Sequence, residues 1–289
     1  MDYRTLIDAQ SLAALLNADS LTAKSAAAKP VLLDCRSNLM QPGAGLAAYQ
    51  KGHLPGARHA DMDTELSSSI TATSGRHPLP DPEGFARQLG EWGIDTQTQV
   101  IVYDDMGGAM ASRAWWLLRW MGHEQVAVLN GGVPAWVDAG GELSSAVESS
   151  MVTTPYPYRL NPSWVVDSDT VQANIADPKF TLIDARNAER FRGEQEPIDP
   201  IAGHVPGALN RPLPDNLTDK GLFKSAEQLR MEWDLLLDGV SPNDVVTMCG
   251  SGVTACHLLL SLEVAGLPGA RVYAGSWSEW IRDDKRPVG

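Results

Sequence analysis

Three stretches of this chain occur twice, each second occurrence following the first at nearly the same distance. Val31-Leu32-Leu33-Asp34-Cys35-Arg36 returns as Thr181-Leu182-Ile183-Asp184-Ala185-Arg186 at an offset of 150. Gly52-His53-Leu54-Pro55-Gly56-Ala57 returns as Gly203-His204-Val205-Pro206-Gly207-Ala208 at an offset of 151. Val100 to Asp105 lines up with Asp244 to Cys249 at an offset of 144, and Gly131 and Trp136 fall on Gly275 and Trp280 at that same offset. A period this long denotes a duplicated domain rather than a solenoid, and 289 residues are enough for two separate cores. The expected division is 1–140 for the first domain, 141–163 for a linker rich in Gly, Ser, Thr and Pro, and 164–289 for the second domain.

Each copy alternates short apolar runs with helical patterns. Strands are expected at 31–34, 100–103 and 126–129 in the first copy and at 181–184, 245–248 and 271–273 in the second; the clearest helices are 112–120 and 254–264. Parallel strands need crossovers, and crossovers are usually helices. The fold class is therefore α/β, each domain a parallel β-sheet with helices on both faces.

Chemistry concentrates where the 245–248 strand of the second copy ends: Cys249-Gly250-Ser251-Gly252-Val253-Thr254, followed at once by an apolar helix. Strand, tight glycine loop and helix in that order can turn successive backbone N–H groups toward one point, with the positive end of the helix behind them. Such a nest holds anions, and a thiolate is one, so Cys249 is the candidate nucleophile. Gly250 and Gly252 supply the backbone freedom the wrap requires, a freedom that burial of a cysteine alone would not demand. At the aligned position the first copy carries Asp105, followed by Met106-Gly107-Gly108-Ala109 without a nucleophile, so one active centre per chain is expected.

The loop resembles that of the 3-mercaptopyruvate sulfurtransferases, two-domain members of the rhodanese superfamily, and the resemblance extends nearly end to end as two tandem rhodanese-like domains. It implies sulfur transfer through a Cys249 persulfide, with the active loop in the second domain and the site in the cleft between domains. The resemblance further implies a Ser-His-Asp set: Ser251 in the loop, with His77 and Asp63 supplied by the first half. Arg190 matches an arginine that binds the donor carboxylate, a task suited to a planar guanidinium, and Gly250, Gly252, Val253 and Thr254 match the substrate-binding loop. A second arginine common before the Gly-His-Ile-Pro-Gly turn of such enzymes is missing here, where the chain reads Glu196-Pro197-Ile198-Asp199-Pro200. Arg211, just after the turn, is the conjectured substitute.

Rival chemistries are weighed on the same loop. A cysteine phosphatase needs an arginine six positions after its cysteine to grip phosphate, and Ala255 stands there. Thiosulfate-preferring relatives place cations inside the loop, where this chain has Gly250 and Ser251; thiosulfate is the alternative donor. A persulfide carrier or binding module without turnover is the alternative from another class. The remaining marked residues are expected to be structural: His53 and His204 fix matching turns, Arg36 and Arg186 pair charge near strand ends, and Cys35, Cys256, Trp277 and Trp280 pack.

A net charge of −13 argues against nucleic acid or anionic membrane as partners. Three cysteines without zinc-type spacing argue against a disulfide framework or a metal site, and no cofactor is expected. No leader-like or membrane-spanning run is seen, so a cytoplasmic location is expected. The expected partners are a small anionic sulfur donor and an acceptor such as thioredoxin, glutathione or cyanide.

Overall fold

The computed structural model describes residues 3–17, 29–146, 148 and 154–289. Of the expected linker, 147 and 149–153 lie outside the described residues. The chain divides into two compact units. The first comprises Met1–Leu66, Pro80–Asn161 and Lys220–Leu222; the second comprises Ser67–Leu79, Pro162–Asp219 and Phe223–Gly289. The segment Ser67–Leu79 thus sits within the first repeat by sequence and packs with the second unit.

The first unit runs β1 (Leu6–Ile7), α1 (Ala9–Asn17), β2 (Val31–Asp34), α2 (Ala44–Lys51), β3 (Ala57–His59), α3 (Pro82–Glu91), β4 (Val100–Tyr103), α4 (Ala111–Trp120), β5 (Val126–Leu129) and α5 (Gly132–Asp138). Its sheet has the order β1-β5-β4-β2-β3, every pair parallel. Leu32, Ile101 and Ala127 stand side by side in register and form one core with Leu12 of α1 and Trp136 of α5. Leu33, Val102 and Val128 alternate to the opposite face and are as fully buried, so both faces are covered, as a parallel sheet with apolar runs demands.

The second unit repeats the plan: α6 (Ser168–Ala176), β6 (Thr181–Asp184), α7 (Ala188–Phe191), β7 (Leu209–Asn210), α8 (Ala226–Leu237), β8 (Val245–Met248), α9 (Ala255–Val264), β9 (Arg271–Val272) and α10 (Ser276–Trp280). Its parallel sheet has the order β7-β6-β8-β9, and Val165 bridges Val272 where β1 pairs with β5 in the first unit. Leu182 and Val246 pack with Val171 of α6 and with Trp277 and Trp280 of α10.

Local chemistry fixes the helix starts in both copies. Asp81 caps α3 and Asp167 caps α6, each accepting a backbone N–H three residues on at 2.8 Å; Ser225 caps α8 in the same way at 3.2 Å. Each sheet is also latched to its glycine-histidine turn. Arg36 forks onto Asp34 and gives a further N–H to the Gly52 carbonyl at 2.7 Å; Arg186 forks onto Asp184 and reaches the Gly203 carbonyl at 2.8 Å. These buried arginines accordingly pair charge at strand ends. The histidines of the turns serve the backbone: the rings of His53 and His204 stack on Tyr49 and Phe191, and each Nδ1 meets a main-chain carbonyl at 2.8 Å.

Two expectations need adjustment. The strands β1, β3 and β7 are absent from the sequence reading because two or three residues leave no periodic pattern to detect. The residue equivalent to Cys249 is Asp104, not Asp105. Asp34 pairs with Tyr103 and Asp184 with Met248, so the strands align at an offset of 145, while α4 and α9 begin at Ala111 and Ala255, an offset of 144. The first loop is one residue longer, and alignment through the helices shifts the residue ahead of it by one.

Candidate active site

The strand β8 delivers Cys249 to the carboxyl edge of its sheet, where a parallel sheet characteristically presents its site. The side chain is 2% exposed. Its Sγ receives the backbone N–H groups of Gly252 at 3.1 Å and Ser251 at 3.4 Å, with α9 starting just beyond. Gly252 has φ of +80°, and a Cβ there would lie 2.1 Å from the Ala274 carbonyl oxygen, so only glycine lets the loop close. Val253 and Thr254 carry the chain into α9, their carbonyls accepting from the N–H groups of Cys256 and His257.

The loop is clamped from behind by the start of α10. The N–H of Cys249 donates to Ser276 Oγ at 3.0 Å, while the carbonyls of Cys249 and Gly250 accept from the N–H groups of Trp277 and Ser278. Cys35 and Cys256 are fully buried; Cys256 directs its thiol to the Gly252 carbonyl.

In the first unit the equivalent nest is filled from within. The Asp104 carboxylate accepts four backbone N–H groups, those of Met106, Gly108, Met110 and Ala111, at 2.7–2.9 Å. A built-in carboxylate occupies the place an external anion would take, and the residue at this position is an aspartate rather than a cysteine.

The segment Ser67–Leu79 brings a histidine to the loop. His77 Nδ1 lies 2.7 Å from Ser251 Oγ, both side chains buried. Gly75 lets the segment come close, since a Cβ there would lie 2.5 Å from the Gly275 carbonyl oxygen, and the N–H of Arg76 donates to Ser278 Oγ at 3.0 Å. Asp63 belongs to the first unit, exposed on a turn where its N–H donates to Asp61; burial of part of its side chain and the Asp61 charge push its carboxyl up from the ordinary value.

Arg190, from the end of α7, is held by carboxylates. Glu196 accepts from its Nε at 3.1 Å and from Nη2 at 2.7 Å, and Asp199 accepts from Nη2 at 3.2 Å. Asp199 also pairs with Nη1 of Arg76, a residue the sequence reading passed over. A Cβ on Gly250 would lie 3.0 Å from Arg76 Nη2 and 3.6 Å from both terminal nitrogens of Arg190, which sets both guanidinium groups over the loop. Arg211 does not substitute for the missing arginine. Its guanidinium is buried, hydrogen-bonded to Asn216 and Glu232 and stacked on Trp233 at 4.5 Å.

Ser276 lies in the Gly275-Ser276-Trp277-Ser278-Glu279-Trp280 stretch, of which only the tryptophans stand out in sequence, and Arg76 belongs to no motif. The only sequence signal for Arg76 was adjacency to His77.

Residues 17–139 and 167–283 each match the Rhodanese-like domain family. A Pseudomonas aeruginosa protein provisionally named 3-mercaptopyruvate sulfurtransferase is 46% identical over 280 residues, covering 96% of this chain and 98% of its own. A Mycobacterium tuberculosis protein provisionally named thiosulfate sulfurtransferase is 40% identical over 280 residues, covering 95% of this chain and 96% of its own. The solved structure of 3-mercaptopyruvate sulfurtransferase from Leishmania major superposes with a TM-score of 0.83 at 30% identity, covering 99% of this chain and 76% of that one. With two matching domains, a parallel sheet in each and a cysteine nest in the second, the chain belongs to the rhodanese family and is a tandem-domain sulfurtransferase.

Proposed function

We propose that the donor is 3-mercaptopyruvate and that its sulfur passes through a persulfide on Cys249. The observation that carries this reading is the 2.7 Å contact between His77 Nδ1 and Ser251 Oγ beside the nest, because a proton path is needed only when the leaving group is a carbon acid. The Cys249 thiolate attacks the donor sulfur, and its electron pair forms the S–S bond. The C–S bond breaks toward carbon, giving the enolate of pyruvate. That carbon gains the proton the donor thiol gives up, so the net change is thiolate plus mercaptopyruvate to persulfide anion plus pyruvate. Ser251 and His77, with Asp63 as third member, move this proton. Gly250, Gly252, Val253 and Thr254 wrap the outer sulfur, and Arg190 draws the carboxylate. A thiol or cyanide acceptor then removes the sulfur, which makes the kinetics ping-pong.

Domain limits of 1–140, 141–163 and 164–289 accompany this reading, as do an acceptor such as thioredoxin, glutathione or cyanide and a cytoplasmic location. Among the described residues no helix is long and apolar enough to cross a membrane. Thiosulfate is the second donor, favoured by the cationic groups over Gly250, which would receive a sulfonate as well as a carboxylate. Side-by-side assays with cyanide test the order: thiocyanate with stoichiometric pyruvate from 3-mercaptopyruvate, at a higher kcat/KM than from thiosulfate. Failure to turn over either donor would leave a persulfide carrier.

A further inference from the structure

We infer that Arg76 is a donor-binding and specificity-determining residue, the second guanidinium of a two-arginine clamp whose other half is Arg190; this rests on the mercaptopyruvate reading above. The clamp is assembled by Asp199. That carboxylate is 3% exposed and lies between the two side chains, pairing with Nη1 of Arg76 and with Nη2 of Arg190. Glu196, at 4% exposed, takes the Nε and Nη2 edge of Arg190. Each guanidinium therefore spends one edge on a buried carboxylate. Among the described residues the hydrogen bonds of these two side chains use Arg76 Nη1 and Arg190 Nε and Nη2, whereas Arg76 Nη2 and Arg190 Nη1 are nitrogens that flank the Cβ direction of Gly250, at 3.0 and 3.6 Å.

The geometry has a chemical consequence. Two donor groups fixed by a shared counter-ion and directed at the residue after the nucleophile form a receptor for a planar carboxylate. A 2-oxo acid carrying a thiol on its third carbon places its carboxylate a few bonds from the attacked sulfur, so anchoring it there brings the sulfur toward Cys249. Ile198 stands in the stretch where a second arginine was expected, and Asp199 beside it recruits a cation from a different chain segment. The position of Arg76 is not left to a long flexible stem alone. Its backbone is pinned by Ser278 Oγ, and the neighbouring His77 is pinned by Ser251.

A structural role, in which Arg76 merely fastens Ser67–Leu79 to its unit, makes a different prediction. We would measure steady-state kinetics of the full chain with 3-mercaptopyruvate and, separately, thiosulfate as donor and cyanide as acceptor for wild type, Arg76→Gln and Arg76→Lys, with a thermal melt of each. Loss of a charge-assisted hydrogen bond in binding predicts a KM raised about 10- to 100-fold in Arg76→Gln with kcat within about threefold. Arg76→Lys, which keeps the charge and loses the fork, falls between. If Arg76→Gln does not fold, Arg76→Lys carries the test through a KM raised several-fold at unchanged kcat. An unchanged KM in the folded variants overturns the clamp, as does a fall in kcat of equal size with both donors at constant KM. Wild type that turns over thiosulfate but not 3-mercaptopyruvate overturns the donor reading itself, and the clamp with it.

Discussion

The backbone N–H of Cys249 donates to the hydroxyl of Ser276 at 3.0 Å, and Ser276 holds φ of 54°, a left-handed conformation that side chains other than glycine seldom adopt. The first unit has glycine at the matching place, Gly132 at φ of 57°, where no cysteine needs support. Ser276 thus accepts backbone strain of about 1–2 kcal/mol in order to satisfy the nucleophile's own amide. Ser276→Ala keeps the strain and loses the acceptor, whereas Ser276→Gly loses both. Urea unfolding should rank Ala below Gly by about 1 kcal/mol, with both below wild type in turnover. An alanine variant as stable and active as wild type would remove the support role.

The proton path predicts a donor-dependent defect. Ser251→Ala should lower kcat with 3-mercaptopyruvate by about 100-fold, within the usual range for a lost acid–base group. Thiosulfate turnover should fall much less, since sulfite leaves without needing a proton on carbon. Equal losses with both donors would show that Ser251 shapes the loop rather than relays a proton.

The plugged nest of the first unit predicts a stability effect without a catalytic one. Asp104→Ala strands backbone N–H groups that are mostly buried and should cost about 3–5 kcal/mol in chemical denaturation. Asp104→Asn, which keeps one carbonyl oxygen, should cost less. A change under 0.5 kcal/mol in Asp104→Ala would mean that solvent already reaches these amides.

Glu65 predicts a pH dependence. Burial, aided by the Asp61 and Glu91 charges, pushes its carboxyl up from 4.5 to about 7. Because the folded chain holds this proton more tightly than the unfolded one, folding gains nothing from Glu65 ionisation. The penalty sets in above pH 4.5 and is complete above pH 7. Glu65→Gln should therefore match wild type in stability near pH 4.5 and exceed it by about 1–3 kcal/mol at pH 8. Its amide oxygen can still accept the Asp61 N–H that Glu65 accepts at 2.7 Å. Melting curves of the two proteins that stay superimposed from pH 4.5 to 8 would show that Glu65 is solvated in solution.

The sheets were legible because Val31–Asp34, Val100–Tyr103, Thr181–Asp184 and Val245–Met248 are buried on both faces and so read as mainly apolar runs rather than as alternating ones. The 271–273 strand ends at Val272, and the two helices start within one residue of expectation, the usual scatter at element ends. The nest could be read from Cys249, Gly250 and Gly252, since strand, glycine and helix follow one another in sequence. Arg76 could not be read this way. Its place over Gly250 depends on Asp199, more than a hundred residues away, and on Ser67–Leu79 packing with the second unit. The misplacement of Asp105 has an equally local cause, one extra loop residue that hydrophobic periodicity does not register.

The most direct test is the mass of the Cys249 peptide after the protein is treated with 3-mercaptopyruvate in the absence of an acceptor. The account predicts one added sulfur atom on Cys249, removed by cyanide, none on Cys35 or Cys256, and none anywhere in Cys249→Ser. An unmodified Cys249 in protein that still releases pyruvate, or sulfur carried on another cysteine, would contradict it.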